Sequence, residues 1–305
     1  MNARADRCAI AIMAKAPDVA RVKTRLSPLL SPDEARALSA CFLRDMTHML
    51  ACAGRTAAID AYIAFAPAGS EASFAPIVAP GTGLVLADGA IDPPAGVVGF
   101  GHCLLQAAQG LFVRGYGAVG LLNSDSPTLP AELIVETARL LAVPGERAVL
   151  GPASDGGYYL LALKSPHPAL FADIDWSTAR VADQTRAAAQ RLGLALTEIA
   201  PWYDVDDPTS LAQLVRDCAA VRTPSPRRGE GRGEGVTDLS LAQEPPHPDS
   251  ALKRAESDLS PPGRGDKQLA PHFAPSTAAW LERNGIAQRL AQIDAATEHS
   301  SAARR

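Results

Sequence analysis

The sequence predicts an α/β protein built on a single doubly wound, mainly parallel sheet with helices on both faces. Three observations carry that expectation. Strand-like and helix-like stretches alternate through the first 222 residues. Several strand candidates are continuous apolar runs, as strands buried on both faces require. Polar clusters rich in Gly, Pro and Asp follow directly after those runs, and ligands of open α/β sheets gather outside the carboxyl ends of the strands.

Ala9–Met13 is an apolar run suited to a buried strand. Ser31-Pro32-Asp33-Glu34 is a helix start, with Ser31 as N-cap, Pro32 in the first turn and Glu34 closing a capping box. Ala35, Leu38, Phe42, Met46 and Met49 then recur at helical spacing to about Ala53. Ile59–Phe65 and Leu84–Ala87 read as strands, Gly101–Val113 as a helix, and Ala118–Leu122 as another buried strand. Pro130 opens a helix through Leu141, Ala148–Leu150 is the next strand, and Tyr158–Leu163 reads as a hairpin-like or crossing strand. Ser177 is expected to cap a helix to Leu192, Leu194–Ile199 is a strand, and Pro208 begins a helix to Ala220.

The composition then breaks. Residues 223–268 hold seven prolines, six glycines and no aromatic residue, with seven basic and eight acidic side chains. Such a stretch cannot bury enough apolar surface to offset the entropy of ordering it, so it reads as a disordered insert. In 269–305, Ser276 is expected to N-cap a helix carrying Trp280, Leu281, Leu290 and Ile293, interrupted at Asn284-Gly285. Although 305 residues suggest about two domains, the expected organisation is one α/β domain (1–222), the insert and a helical tail.

A net charge of −4 argues against a nucleic-acid or membrane-surface partner. No apolar run reaches the length of a membrane span. The run from Cys8 to Ala14 is too short for a secretory signal and stops at Lys15. Five scattered cysteines without a CxxC pair fit reduced thiols in a cytoplasmic protein. Oligomeric state is left open.

Four clusters carry chemistry. In Lys15–Leu26, Lys15, Arg21, Lys23 and Arg25 place four cations in a strand-to-helix loop, suited to a polyanion such as a diphosphate; the bland reading is a solvated basic loop. Asn123-Ser124-Asp125-Ser126-Pro127 puts a carboxylate at a strand's carboxyl end, where it can hold Mg²⁺ or Mn²⁺ or merely cap a turn. In Gly151–Tyr159, Asp155 precedes Gly156 and Gly157, which admit close backbone approach, and Tyr158 can stack on a ring; Asp-Gly-Gly is also ordinary hairpin chemistry. In Asp204-Val205-Asp206-Asp207-Pro208, either Asp206 or Asp207 can cap the following helix, which leaves Asp204 as the freer carboxylate. Ser177 in Asp175-Trp176-Ser177-Thr178 is read as a plain N-cap.

These clusters, quoted as AKAPDVARVKTRL, NSDSPTLP, GPASDGGYYLLAL, DWST and DVDDP, resemble a bacterial family of glycosyltransferase-A-like proteins over about residues 8–220. Some members are labelled arsenosugar-type glycosyltransferases, and the fold is that of nucleotide-diphospho-sugar transferases. The loop departs from the family pattern in having Val19-Ala20 where Pro-Gly precedes the Lys-Thr-Arg, and the stretch GVVGFGHCLLQ replaces an acidic, Arg-containing segment.

The resemblance implies phosphate contacts from Lys15, Lys23 and Arg25, with Thr24 and Ser124 beside them. It implies a divalent metal on Asp125, helped by Asp204 or Asp206, and places Asp155, Gly156, Gly157 and Tyr158 near the sugar or acceptor. The implied activity is metal-dependent glycosyl transfer from a nucleotide-diphospho-sugar to a small-molecule acceptor, with Asp155 as general base and Lys23 and Arg25 stabilising the leaving diphosphate. The alternative is nucleotidyl transfer from an NTP to a phosphorylated small molecule; a non-catalytic nucleotide-binding role is the reading outside enzymes.

Overall fold

The computed structural model describes residues 4–18, 22–27, 29–222 and 269–302. Seven strands form one sheet: β1 (Cys8–Lys15), β2 (Ile59–Ala66), β3 (Gly83–Leu86), β4 (Ala118–Leu122), β5 (Arg147–Pro152), β6 (Tyr158–Leu163) and β7 (Ala195–Glu198). Their spatial order is β3-β2-β1-β4-β6-β5-β7. β1 pairs in parallel with β2 and β4, β2 with β3, and β5 with β7. β6 runs antiparallel between β4 and β5, which makes the sheet mixed but mostly parallel. Of the two readings of Tyr158–Leu163, the hairpin-like one is seen: β6 turns back antiparallel on β5 and also pairs with β4.

Helices follow the strands: α1 (Pro32–Ala53), α2 (Phe100–Val113), α3 (Ala131–Ala142), α4 (Val181–Arg191) and α5 (Pro208–Arg222). The expected start of α1 is present in full, since the Glu34 N–H donates to Ser31 Oγ at 3.3 Å and the Ser31 N–H to Glu34 Oε2 at 2.8 Å. Ser177 is not the cap of α4; that helix begins four residues later, at Val181, after a tight turn. Asp207, not Asp206, serves α5, accepting the Ser210 N–H at 2.8 Å on Oδ1.

The tail carries α6 (Pro275–Arg283) and α7 (Ile286–Ala302), separated at Asn284-Gly285 as expected. Its cap is not Ser276, because α6 starts at Pro275. The cap comes from Asp45 on α1, 2% exposed, whose two carboxylate oxygens accept the Ser276 and Thr277 N–H groups at 3.0 and 2.7 Å. A charged acceptor at a helix N-terminus satisfies orphan donors and complements the helix dipole. The described residues of the tail from Pro271 onward accordingly belong to one compact unit with those of the α/β domain. The expected insert, 223–268, lies outside the described residues.

Two clusters of buried side chains flank the site. One joins alternate residues of β1, β4, β5 and β6 to α2 and α4, through Ala9, Ala11, Leu105, Ala108, Leu161 and Ala189. The other joins Leu26, Leu38, Phe42, Val205, Leu214 and Trp280 from the basic loop, α1, α5 and the tail. No helix among the described residues is long and apolar enough to cross a membrane, and all five cysteines are free.

Candidate active site

A cleft of about 780 Å³ opens at the carboxyl ends of β1 and β4. Parallel strands on either side of β1 lead away in opposite directions at this point, and that divergence leaves the crevice. The expected cations and carboxylates meet here: Lys15, Lys23, Arg25, Asp125, Asp155, Asp204 and Asp206 all line it.

Lys23 is the knot of the arrangement. Its Nζ donates to Asp125 Oδ1 at 2.7 Å and to the Val205 carbonyl at 3.0 Å, and stands 4.4 Å from the centre of the Phe42 ring. The side chain is only 3% exposed. The spacing of the basic loop shows four like cations, but the fold buries one of them and leaves Arg25 mostly in solvent, 3.7 Å from Asp206 Oδ2. Lys23 also adopts φ 49°, in the left-handed region. That conformation costs a non-glycine residue about 1 kcal/mol or more, and the buried contacts hold it.

The 203–206 segment is stitched to the end of β4. The Val205 N–H donates to the Asp125 carbonyl at 2.8 Å, and Ser126 Oγ donates to the Tyr203 carbonyl at 2.9 Å. Val205 is fully buried. In extended chain, neighbours of an inward residue point the other way, so Asp204 and Asp206 both face the cleft. Asp155 is fixed by its own turn, with Oδ1 accepting the Gly157 N–H at 2.8 Å. That turn needs Gly156, whose φ is +90° and whose added Cβ would lie 2.2 Å from the Ala179 carbonyl oxygen.

The carboxylates strain against one another. Burial, then the charges of Asp155, Asp206 and Asp125, pushes Asp204 up to about 6. Asp206 is raised by burial and by Asp125, against the pull of Lys23 and Arg25. The negative charge thus exceeds what the resident cations neutralise, and the all-oxygen donor set fits Mg²⁺ or Mn²⁺. Among the described residues no three His, Cys, Asp or Glu side chains form a ready-made metal cage. A catalytic Mg²⁺ needs none, since one or two carboxylates, waters and substrate phosphates complete its shell.

The family described as uncharacterised proteins conserved in bacteria (DUF2064) matches residues 49–178. A solved structure of a provisionally assigned nucleotide-diphospho-sugar transferase from Desulfovibrio desulfuricans G20 is 30% identical, with a TM-score of 0.59, and the match covers 72% of this chain and 90% of that one. The chain belongs to the nucleotide-diphospho-sugar transferase superfamily. It is therefore an enzyme of the transferase class. CMP:2-keto-3-deoxy-manno-octonic acid synthetase complexed with CTP is also similar, at 12% identity and a TM-score of 0.45, over 71% of this chain and all of that one. A cytidylyltransferase from Leptospira borgpetersenii serovar Hardjo-bovis matches at 11% identity and 0.41, over 70% and 87% of the two chains. No curated protein matches the chain.

In this member of the transferase superfamily the cleft gathers ten of the twelve expected site residues. Ser124, Gly157 and Tyr158 line it with the seven charged groups; Thr24 and Gly156 do not. Thr24 lies in the short turn beyond Lys23, and Gly156 serves backbone packing instead, its carbonyl accepting the Ala182 N–H at 3.0 Å. His102 stays out of the cleft lining, its Nε2 2.6 Å from the Val97 carbonyl oxygen.

Sequence reasoning missed Asn123, Phe100 and Trp176, which also line the cleft. Asn123 stood in view inside its cluster, directly after the apolar run of β4. Its Oδ1 is buried and without a hydrogen-bond partner. Trp176 stood in view inside the DWST cluster as well, but its meeting with Phe100, 76 residues away, comes only through the fold.

Proposed function

We propose that the protein transfers a glycosyl group from a nucleotide-diphospho-sugar to a small-molecule acceptor, with a divalent metal. The observation that carries this reading is the convergence of Asp125, Asp155, Asp204 and Asp206 with Lys15, Lys23 and Arg25 around one cleft at the strand ends. A site that handles only neutral ligands has no use for four carboxylates and three cations together.

The roles follow from position. Asp125 and Asp206, with Asp204 behind them, would hold the metal, which when bound neutralises charge on the diphosphate. Lys15 and the exposed Arg25 bind the diphosphate through their positive charge. Lys23 contributes its charge from within, keeping Asp125 oriented. Asp155 takes the proton of the acceptor hydroxyl as that oxygen bonds to the anomeric carbon. The bond from that carbon to the diphosphate breaks, and the nucleoside diphosphate leaves with the electron pair. The resemblance to arsenosugar-type members supports a small acceptor, and five free thiols support a cytoplasmic setting.

The test is product analysis with Mn²⁺ and a panel of sugar nucleotides and NTPs. Release of a nucleoside diphosphate from a sugar nucleotide supports glycosyl transfer, and its loss in Asp125→Asn assigns it to this site. Pyrophosphate released from an NTP instead establishes nucleotidyl transfer and refutes the proposal.

A further inference from the structure

We propose that the turn Asp175–Thr178, together with Phe100, is the part of the cleft that recognises the glycosyl ring of the donor. This rests on the functional reading above and adds to it a specificity wall.

The wall is rigid and strained. Ser177 has φ 65° and Asp173 φ 56°, two left-handed non-glycine residues within five positions. Strain of this kind persists where surrounding contacts over-determine the backbone, and it concentrates at ligand sites. Those contacts are present. Asp175 Oδ2 accepts from Gln184 Nε2 at 2.8 Å and pairs with Arg180 Nη2 at 2.7 Å, while its N–H donates to Gln184 Oε1 at 2.9 Å. Thr178 Oγ1 donates to the Asp175 carbonyl at 2.8 Å. On the far side, the Asp173 N–H donates to the Gly96 carbonyl at 2.9 Å, and Val97 bridges Ala172.

The indole of Trp176 is seated by a glycine. A Cβ on Gly101 would lie 3.1 Å from Trp176 Nε1 and 2.9 Å from the Phe171 carbonyl oxygen, so only glycine at the start of α2 lets the ring lie there. Phe100 meets that ring edge to face, with centroids 5.7 Å apart and planes at 85°. Phe100 remains 47% exposed, and both rings line the cleft.

Ser177 completes the wall. Its side chain is exposed, lines the cleft and makes no hydrogen bond to another described residue; it caps no helix. A glycine there would remove the strain, so the hydroxyl is held at a conformational cost with no structural partner. An apolar aromatic face with an adjacent free hydroxyl suits a ring that is apolar on its C–H face and hydroxylated at its rim. The carboxylate cluster lies in the same cleft, where the diphosphate would be held.

The test is calorimetric titration of the full chain with Mn²⁺, using UDP, UDP-glucose, GDP and GDP-mannose on wild type, Ser177→Ala, Ser177→Gly and Phe100→Ala. The variants are expected to weaken the accepted sugar nucleotide by about tenfold or more while changing the matching nucleoside diphosphate by about twofold or less. Ser177→Gly is expected to raise Tm by about 2–4 °C through relief of strain, so its weakened binding cannot come from unfolding. Equal losses for diphosphate and sugar nucleotide, or no loss for either, overturn the proposal and leave the functional reading standing. Wild-type protein that binds none of the four probes overturns both.

Discussion

Replacing Lys23 with Met removes the charge while keeping the length of the stem against Phe42. Two hydrogen bonds from the ammonium, to Asp125 and to the Val205 carbonyl, are each of the charge-assisted kind that contributes about 1.5–3 kcal/mol. The desolvated ring contact adds about 2 kcal/mol. Against these stands the burial penalty of the ammonium, which Met does not incur and which amounts to several kcal/mol. Removing one partner of a fully buried pair costs about 3–5 kcal/mol. Asp125 is 32% exposed and regains water when Lys23 is gone, so a discounted loss of about 2 kcal/mol is expected. The sharper measurement is the double-mutant cycle with Asp125→Asn in urea unfolding. The expected coupling is about 1.5–3 kcal/mol, and most of it persists in 1 M salt, at about 3 Å screening length, because the Lys23 ammonium is shielded from solvent. A coupling below about 0.5 kcal/mol refutes the pairing, and with it the view that Lys23 orients Asp125 from within.

Asp45→Ala strips the N-terminus of α6 of its acceptor; a loss of about 2–3 kcal/mol in chemical unfolding is expected, with faster proteolysis in the tail. Gly156→Ala forces a Cβ against the Ala179 carbonyl at positive φ and should cost at least about 2 kcal/mol, read as a lower unfolding midpoint. Glu34 is held at about 2, below its ordinary 4.5, by hydrogen bonds from Arg289 and Ser31. Its contribution is complete above pH 4.5 and is lost as pH falls toward about 2. Glu34→Gln should therefore flatten the fall of Tm across that window, and an unchanged acid limb would exclude the Glu34–Arg289 pair as its source.

The elements written in local chemistry were legible. Ser31, Pro32 and Glu34 specify the start of α1 within four residues, and both capping-box bonds form. The apolar run Ala118–Leu122 is β4 to the residue. What escaped the sequence depends on partners far along the chain. The hairpin of β5 and β6 across Asp155-Gly156-Gly157 was in view, but the antiparallel pairing of β6 with β4, about 40 residues earlier, has no local pattern. The cap of α6 comes from Asp45, 231 residues before it. Ser177 has the residue type of a cap, yet the contacts of Asp173 and Asp175 fold the chain into a turn before α4 can begin.

The site divides the same way. Its carboxylates were legible because each follows a strand or precedes a helix in a short polar cluster, and strand ends are where ligands collect. The burial of Lys23 was not. Sequence spacing shows a row of cations, and only the meeting of Asp125, Val205 and Phe42 in space sets one of them apart.

Identifying the nucleotide product decides whether this cleft cleaves a nucleotide-diphospho-sugar at its glycosyl bond. Incubated with Mn²⁺ and the sugar nucleotide it binds, the wild-type protein is predicted to release the nucleoside diphosphate, and Asp125→Asn to lose that release by about a hundredfold or more. Turnover that survives Asp125→Asn unchanged, or pyrophosphate formed from an NTP in place of the diphosphate, would contradict that cleavage at this site.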